Sequence, residues 1–182
     1  GKGIRRTERL LSEDEYAAAR SSTLNAHYTS PVVIRSIYDA VEKMGFQSGN
    51  ILEPSMGVGN FFGMLPDSMA DIAVGVELDS ITGRIAKKLY PQADITVAGF
   101  ETTDRRDFYD LAVGNVPFGQ YKVNDKAYNK LGFSIHNYFF AKAIDQVRPG
   151  GVVAFVTAFT MDSKDSTLQA HGRAADLLGA IR

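Results

Sequence analysis

Residues 51–61 read Ile51-Leu52-Glu53-Pro54-Ser55-Met56-Gly57-Val58-Gly59-Asn60-Phe61: an apolar run, a glycine turn, then a return to apolar character. A short apolar run is what a strand buried on both faces requires, and the glycines mark its delivery into a tight turn and a helix start. Gly57 and Gly59 permit positive φ and let a ligand approach the backbone closely. The stretch is not Gly-x-Gly-x-x-Gly, because position 62 is Phe, and no Gly-Lys-Ser/Thr of a phosphate loop follows. Glu53 at the strand end would repel a pyrophosphate but favour an ammonium or sulfonium. The residues therefore argue against a dinucleotide and for a cationic ligand, beside the plainer reading of a turn that only tightens strand–helix packing.

Working outward, strands and helices alternate. Strands are expected at 50–54, 72–78, 94–99, 110–115 and 152–157, with a sixth at 178–182. Ser30-Pro31 opens a helix with Ser as N-cap and Pro at its first position, and Gly45 closes it. Val33, Ile37, Val41 and Met44 mark its apolar face. The glycine turn is expected to open a brief helix ended by Pro66. Ile81, Ile85 and Leu89 mark a helix that stops before Pro91, and another runs from about 136 to 147. Pro149-Gly150-Gly151 reads as a turn, and a weaker helix follows, interrupted by Gly172. Ser12-Glu13-Asp14-Glu15 resembles a capping box behind a loose basic lead-in. This alternation predicts an α/β fold with a mostly parallel, doubly wound sheet. The expected division is a lead-in and helix over 1–25 and one domain over 26–182. The chain stops in or just after an apolar segment, which predicts a domain truncated at its C-terminal end.

The 182 residues suit one domain, and 45% hydrophobic with 23% charged residues is ordinary for a globular protein. No apolar run is long enough to span a bilayer. Zero cysteines exclude disulfides and thiolate chemistry and fit a cytoplasmic setting. His27, His136 and His171 lie far apart without metal-ligand spacing, so no metal is expected. A net charge of −1 places much of any nucleic-acid-binding surface elsewhere.

Four further stretches bear on a ligand. Val76-Glu77-Leu78-Asp79 closes the second strand with acids, and an acid about 20 residues past the glycines is the usual partner of ribose hydroxyls in this architecture. Asp79 or Ser80 caps the next helix, which leaves the ribose to Glu77. Gly99-Phe100-Glu101 ends the third strand, with Phe100 either a wall for a purine ring or plain core. His27-Tyr28-Thr29-Ser30-Pro31 lies at a helix N-terminus, where free N–H groups favour a carboxylate. Tyr109-Asp110-Leu111-Ala112-Val113-Gly114 delivers Asn115-Val116-Pro117-Phe118 to a strand end, where open α/β sheets bind ligands. The Asn115 amide and the Val116 carbonyl offer two acceptors beside the Phe118 ring, which suits an exocyclic amino group on a planar ring.

Together these stretches resemble the amino-methyltransferases that use S-adenosylmethionine, a Rossmann-like class I fold. The order matches the class in which the T-P-type helix precedes the glycine loop and the Asn-Pro-Pro-aromatic motif comes last. The chain resembles the N6-adenine DNA methyltransferase module of large helicase-fused proteins of mobile elements, over roughly residues 22–182. Thr-Leu-Asn-Ala-His-Tyr-Thr-Ser, Leu-Glu-Pro-Ser-Met-Gly-Val-Gly-Asn-Phe-Phe, Val-Glu-Leu-Asp-Ser-Ile-Thr-Gly-Arg-Ile-Ala and Val-Gly-Asn-Val-Pro-Phe-Gly carry the likeness. It implies a cofactor site of Tyr28, Thr29 and Pro31, of Glu53, Pro54, Ser55, Met56, Gly57, Gly59 and Phe61, and of Glu77, Leu78, Phe100 and Asn115. It implies a catalytic set of Asn115, Val116, Pro117 and Phe118 acting on a flipped adenine of DNA, with helicase or target-recognition segments as partners and restriction–modification as a setting. Val116 departs from the first Pro of the usual motif, and Gly99 stands where many relatives have an acid for the cofactor's adenine amino group, a role Glu101 is placed to take. The alternatives are a non-catalytic cofactor- or DNA-binding module and a methyltransferase for protein glutamine.

Overall fold

A computed structural model describes residues 12, 13, 16, 28–117, 119 and 122–157. Several expectations lie outside the described residues: the basic lead-in over 1–11, His27, Phe118, His171, the helix interrupted by Gly172, and the strand at 178–182. Of the expected capping box only Ser12 and Glu13 are described, and Tyr16 N–H donates to the Ser12 carbonyl at 2.8 Å.

Among the described residues five strands form one all-parallel sheet: β1 (Gly49–Glu53), β2 (Ala70–Glu77), β3 (Asp94–Val97), β4 (Tyr109–Asn115) and β5 (Val147–Val156), in the order β3-β2-β1-β4-β5. Helix α1 (Pro31–Lys43) precedes the sheet, α2 (Ser80–Leu89) connects β2 to β3, and α3 (Ile135–Gln146) connects β4 to β5. Residues paired across parallel strands share a face, so Ile51 and Leu111 point one way while Leu52 and Ala112 point the other. The first face takes Ile34, Tyr38 and Val41 of α1; the second takes Tyr138, Phe139 and Ala143 of α3. Each of the large aliphatic side chains so buried contributes about 1.5–3 kcal/mol.

The caps agree with the sequence reading. The Ser30 side chain accepts from Val33 N–H, Pro31 follows it, Gly45 has φ +98°, and Asp79 caps α2 by accepting from Thr82 N–H. The helix faces differ. In α1 the buried residues are Ile34, Tyr38 and Val41, and Val33 and Met44 are exposed. In α2 they are Gly83 and Ala86, while Ile85 and Leu89 are exposed. A Cβ on Gly83 would stand 2.9 Å from Val97 Cγ2, so α2 lies too close to the sheet for a large side chain.

Two connections also differ. Residues 54–61 form turns, and only Phe62–Met64 make a short 3₁₀ helix, so no α-helix follows the glycine loop. The third strand ends at Val97 rather than 99. Pro149-Gly150-Gly151 lies inside β5, absorbed by a register shift between Tyr109 and Leu111, with Gly150 at φ +85°. Among the described residues no helix is long and apolar enough to cross a membrane.

Candidate functional site

The strand order reverses between β1 and β4, and open α/β sheets bind ligands at such a switch point, beyond the C-terminal strand ends. Glu53, Glu77 and Asn115 end β1, β2 and β4 on that edge. The Ser55 hydroxyl donates to the Asn115 carbonyl at 2.7 Å, tying the two strand exits together across the reversal.

Glu77 holds the glycine turn. Its Oε2 accepts from Gly57 N–H and its Oε1 from Asp79 N–H, both at 2.7 Å. Burial pushes its carboxyl above the usual carboxylate range, against those donors. Each carboxylate oxygen accepts up to two hydrogen bonds, so these contacts do not exhaust it.

Glu53 lies deeper. It is 2% exposed and Oε2 has no hydrogen-bond partner. Burial raises its carboxyl well above the usual range; Phe62 N–H opposes the rise and the Glu77 charge adds to it. An unmatched buried acceptor costs about 1–3 kcal/mol and calls for an explanation, such as a ligand donor. Thr29 Oγ1, just before α1, is buried and unpartnered in the same way.

The two glycines serve different ends. Gly57 has φ +57° and nothing of the protein within 4 Å of where a Cβ would be, so the backbone is open to approach there. Gly59, at φ +88°, lies under the Tyr90 ring, which a Cβ would strike. Its requirement is internal packing. Tyr90 hydroxyl donates to the Gly59 carbonyl at 2.7 Å and Tyr38 hydroxyl to the Phe61 carbonyl at 2.9 Å, so two tyrosines fix the loop from either side. Burial and the nearby Glu53 raise both hydroxyls. Sequence reasoning passed over these tyrosines, although Tyr38 falls four residues after Ile34 on a buried face, where a phenol needs a partner.

Several expected site residues bury their side chains in the core. Phe61 packs edge-on to Tyr38 in the cluster under α1. The Met56 side chain lies over Gly75 of β2, leaving its backbone to the loop. Phe100 is 3% exposed, its ring 5.0 Å from Phe139 and 6.2 Å from Tyr138, so it is packed as core and presents no open wall. Val116 buries its side chain in the same cluster and donates its N–H to the Val156 carbonyl at 3.0 Å. Pro54 is buried, and Pro117 is half-buried. Tyr28, Pro31 and Leu78 are exposed, Leu78 by 72%. The Glu101 carboxylate folds back over Gly99, into the place where a side chain at 99 would begin. His136, at the start of α3, is half-buried beside the Ser134 hydroxyl.

Solved structures share this arrangement. A TehB-like S-adenosylmethionine-dependent methyltransferase from Corynebacterium glutamicum superposes with a TM-score of 0.51 over 89% of this chain and 81% of its own, at 18% identity. An rRNA methylase from Streptococcus thermophilus gives 0.51 over 75% of each chain at 14% identity. The fold is that of the Rossmann-like methyltransferases. In this chain the glycine loop after β1 and the acid ending β2 stand at the C-terminal edge of the sheet. By sequence, the chain is 28% identical over 169 residues to the Defense against restriction protein B of Escherichia phage P1. That match covers 88% of this chain but only 7% of the phage protein. No protein-family model matches the chain.

Proposed function

We propose that the chain transfers the methyl group of S-adenosylmethionine to the N6 amino group of adenine in DNA. The observation that carries the reading is the pairing of Asn115-Val116-Pro117 at the β4 exit with the buried Glu53 carboxyl, whose Oε2 has no partner, across the switch point. A ligand with an ammonium and a carboxylate fits the two orphaned atoms. Glu53 Oε2 would accept from the ammonium, and Thr29 with the first N–H groups of α1 would meet the carboxylate. Glu77 would hold the ribose hydroxyls while anchoring Gly57, whose open backbone lets the ligand pass. The turn at Phe100-Glu101 would border the adenine, with the Glu101 carboxylate reaching its amino group over Gly99.

When bound, this cofactor supplies an already activated methyl group, so the protein's task is alignment in a preorganised pocket. The N6 nitrogen of a flipped adenine is a poor nucleophile because its lone pair is delocalised into the ring, and flipping costs a few kcal/mol. Asn115 Oδ1 and the Val116 carbonyl would accept its two hydrogens, drawing the nitrogen toward tetrahedral geometry. The contact asked of position 116 is a backbone carbonyl, so Val in place of Pro retains it. The phage relative is named for defense against restriction, and a methylated adenine is one means of blocking a restriction enzyme. Helicase or target-recognition partners fit the same setting.

Single-turnover transfer of a labelled methyl group to duplex DNA, with the product nucleosides identified, tests the reading. Label in N6-methyladenine is the expected result. Label in protein glutamine, or cofactor binding without any transfer, refutes it in favour of the two alternatives.

A further inference from the structure

A buried ion pair lies on the other face of the sheet. Lys142 of α3 is 5% exposed and Asp125, in the connection from β4 to α3, is 8% exposed. Lys142 Nζ donates to Asp125 Oδ2 at 2.7 Å and to the Glu101 carbonyl at 3.4 Å. Its ammonium faces the rings of Phe100, Tyr128 and Tyr138 at 5.5, 5.6 and 6.0 Å. Tyr138 hydroxyl donates to the same Asp125 oxygen at 2.9 Å, and Ala127 N–H to Asp125 Oδ1 at 3.0 Å. Burial alone would raise the Asp125 carboxyl, but the hydrogen bonds from Lys142, Tyr138 and Ala127 N–H, together with the Lys142 charge, hold it below its ordinary value.

A buried ion pair is weak evidence of net stabilisation. Replacing a buried ion pair by apolar residues of similar volume is often neutral or stabilising, because desolvating two charges offsets their attraction. What the pair does supply is geometry. One ammonium bonds both Asp125 and the Glu101 carbonyl only when α3, the turn after β3 and the connection after β4 take a single mutual placement. Three aromatic faces add cation–π attraction for the ammonium at that same point.

We infer that Lys142 and Asp125 are positioning residues that couple the turn at Phe100–Thr102 to the connection leaving Asn115-Val116-Pro117. The inference rests on the proposed function, which sets the adenine of the cofactor at the first segment and the target base beside the second. An occupied cofactor site thereby orders the target side, although residues 122–133 include no residue of the cofactor site.

Hydrogen exchange on the whole chain, with and without S-adenosylmethionine, tests this. In the wild type the cofactor slows exchange at 122–133 by about tenfold, within the usual range of coupling between sites. Asp125→Asn combined with Lys142→Met removes both charges, leaving neither unpaired. It still binds cofactor by calorimetry and still shows slowing at 55–59, but slowing at 122–133 falls below about twofold. Tyr138→Phe removes a single hydroxyl and keeps the test open if the double variant does not fold; it reduces the slowing at 122–133 part-way. Undiminished slowing there in a folded variant overturns the coupling, as does its absence in a wild type that binds cofactor. A wild type that binds no cofactor overturns the proposed function and this inference together.

Discussion

Glu53→Gln tests the central electrostatic feature of the site. The carboxyl is 2% exposed, has one unpartnered oxygen and faces the Glu77 charge, so the folded protein holds its proton to a pH above the ordinary value of 4.5. Between that value and its raised folded value, the unfolded chain has lost the proton and the native chain has kept it. Stability from this group therefore falls as pH rises through that window, with a slope approaching 1.4 kcal/mol per pH unit for one proton. Below the window the penalty is absent, and above it the penalty is complete. Gln keeps the shape and an acceptor for Phe62 N–H but cannot ionise. Relative to wild type, the variant should gain up to about 3–6 °C in Tm per pH unit across the window. Thermal melts of both proteins from pH 4 upward measure the difference. Cofactor binding adds a second readout, because an ammonium beside Glu53 favours the ionised form: wild-type affinity should rise with pH through the window, and that of the variant should be weaker and flat. A Tm difference that does not change with pH would refute the assignment of a retained proton to Glu53.

Glu77→Ala removes the acceptor for Gly57 and Asp79 as well as the proposed ribose partner. Calorimetry should show S-adenosylmethionine affinity weakened about 10–100-fold, and an unchanged affinity sinks the ribose role. Asn115→Ala should leave cofactor affinity within about threefold while methyl transfer falls about 10²–10³-fold, since the lost contact is made to the reacting nitrogen. Wild-type turnover in that variant would end the methylase reading of 115–118. The two loop glycines should separate. Gly59→Ala meets the Tyr90 ring and should cost about 1–3 kcal/mol of stability in denaturant melts. Gly57→Ala meets no protein atom, so beyond the strain of its positive φ its main effect should be on cofactor affinity; the opposite ranking would reverse the roles assigned to them.

The chain's own chemistry fixed much of this in advance. Alternating apolar runs and caps such as Ser30-Pro31 and Asp79 are local signals, because a cap needs only a side-chain oxygen and a nearby free N–H. The glycine loop and the acids ending the first two strands were readable for the same reason: positive φ and strand termini are matters of neighbouring residues. Which face of each helix is buried was not. Ile85 and Leu89 carry the stronger apolar pattern, yet α2 turns Gly83 and Ala86 to the sheet, since the closeness of approach over Val97 is set by the partner surface. The fate of the aromatics was equally non-local: Phe61 and Phe100 could line a pocket or fill a core, and only the packed neighbours Tyr38 and Phe139 decided for the core. The same holds for Lys142 and Asp125, seventeen positions apart in sequence. Nothing in their spacing marks them as partners, because a buried charge finds its counter-charge through the folding of a whole connection, and the cost of desolvation is met only once both have left water together.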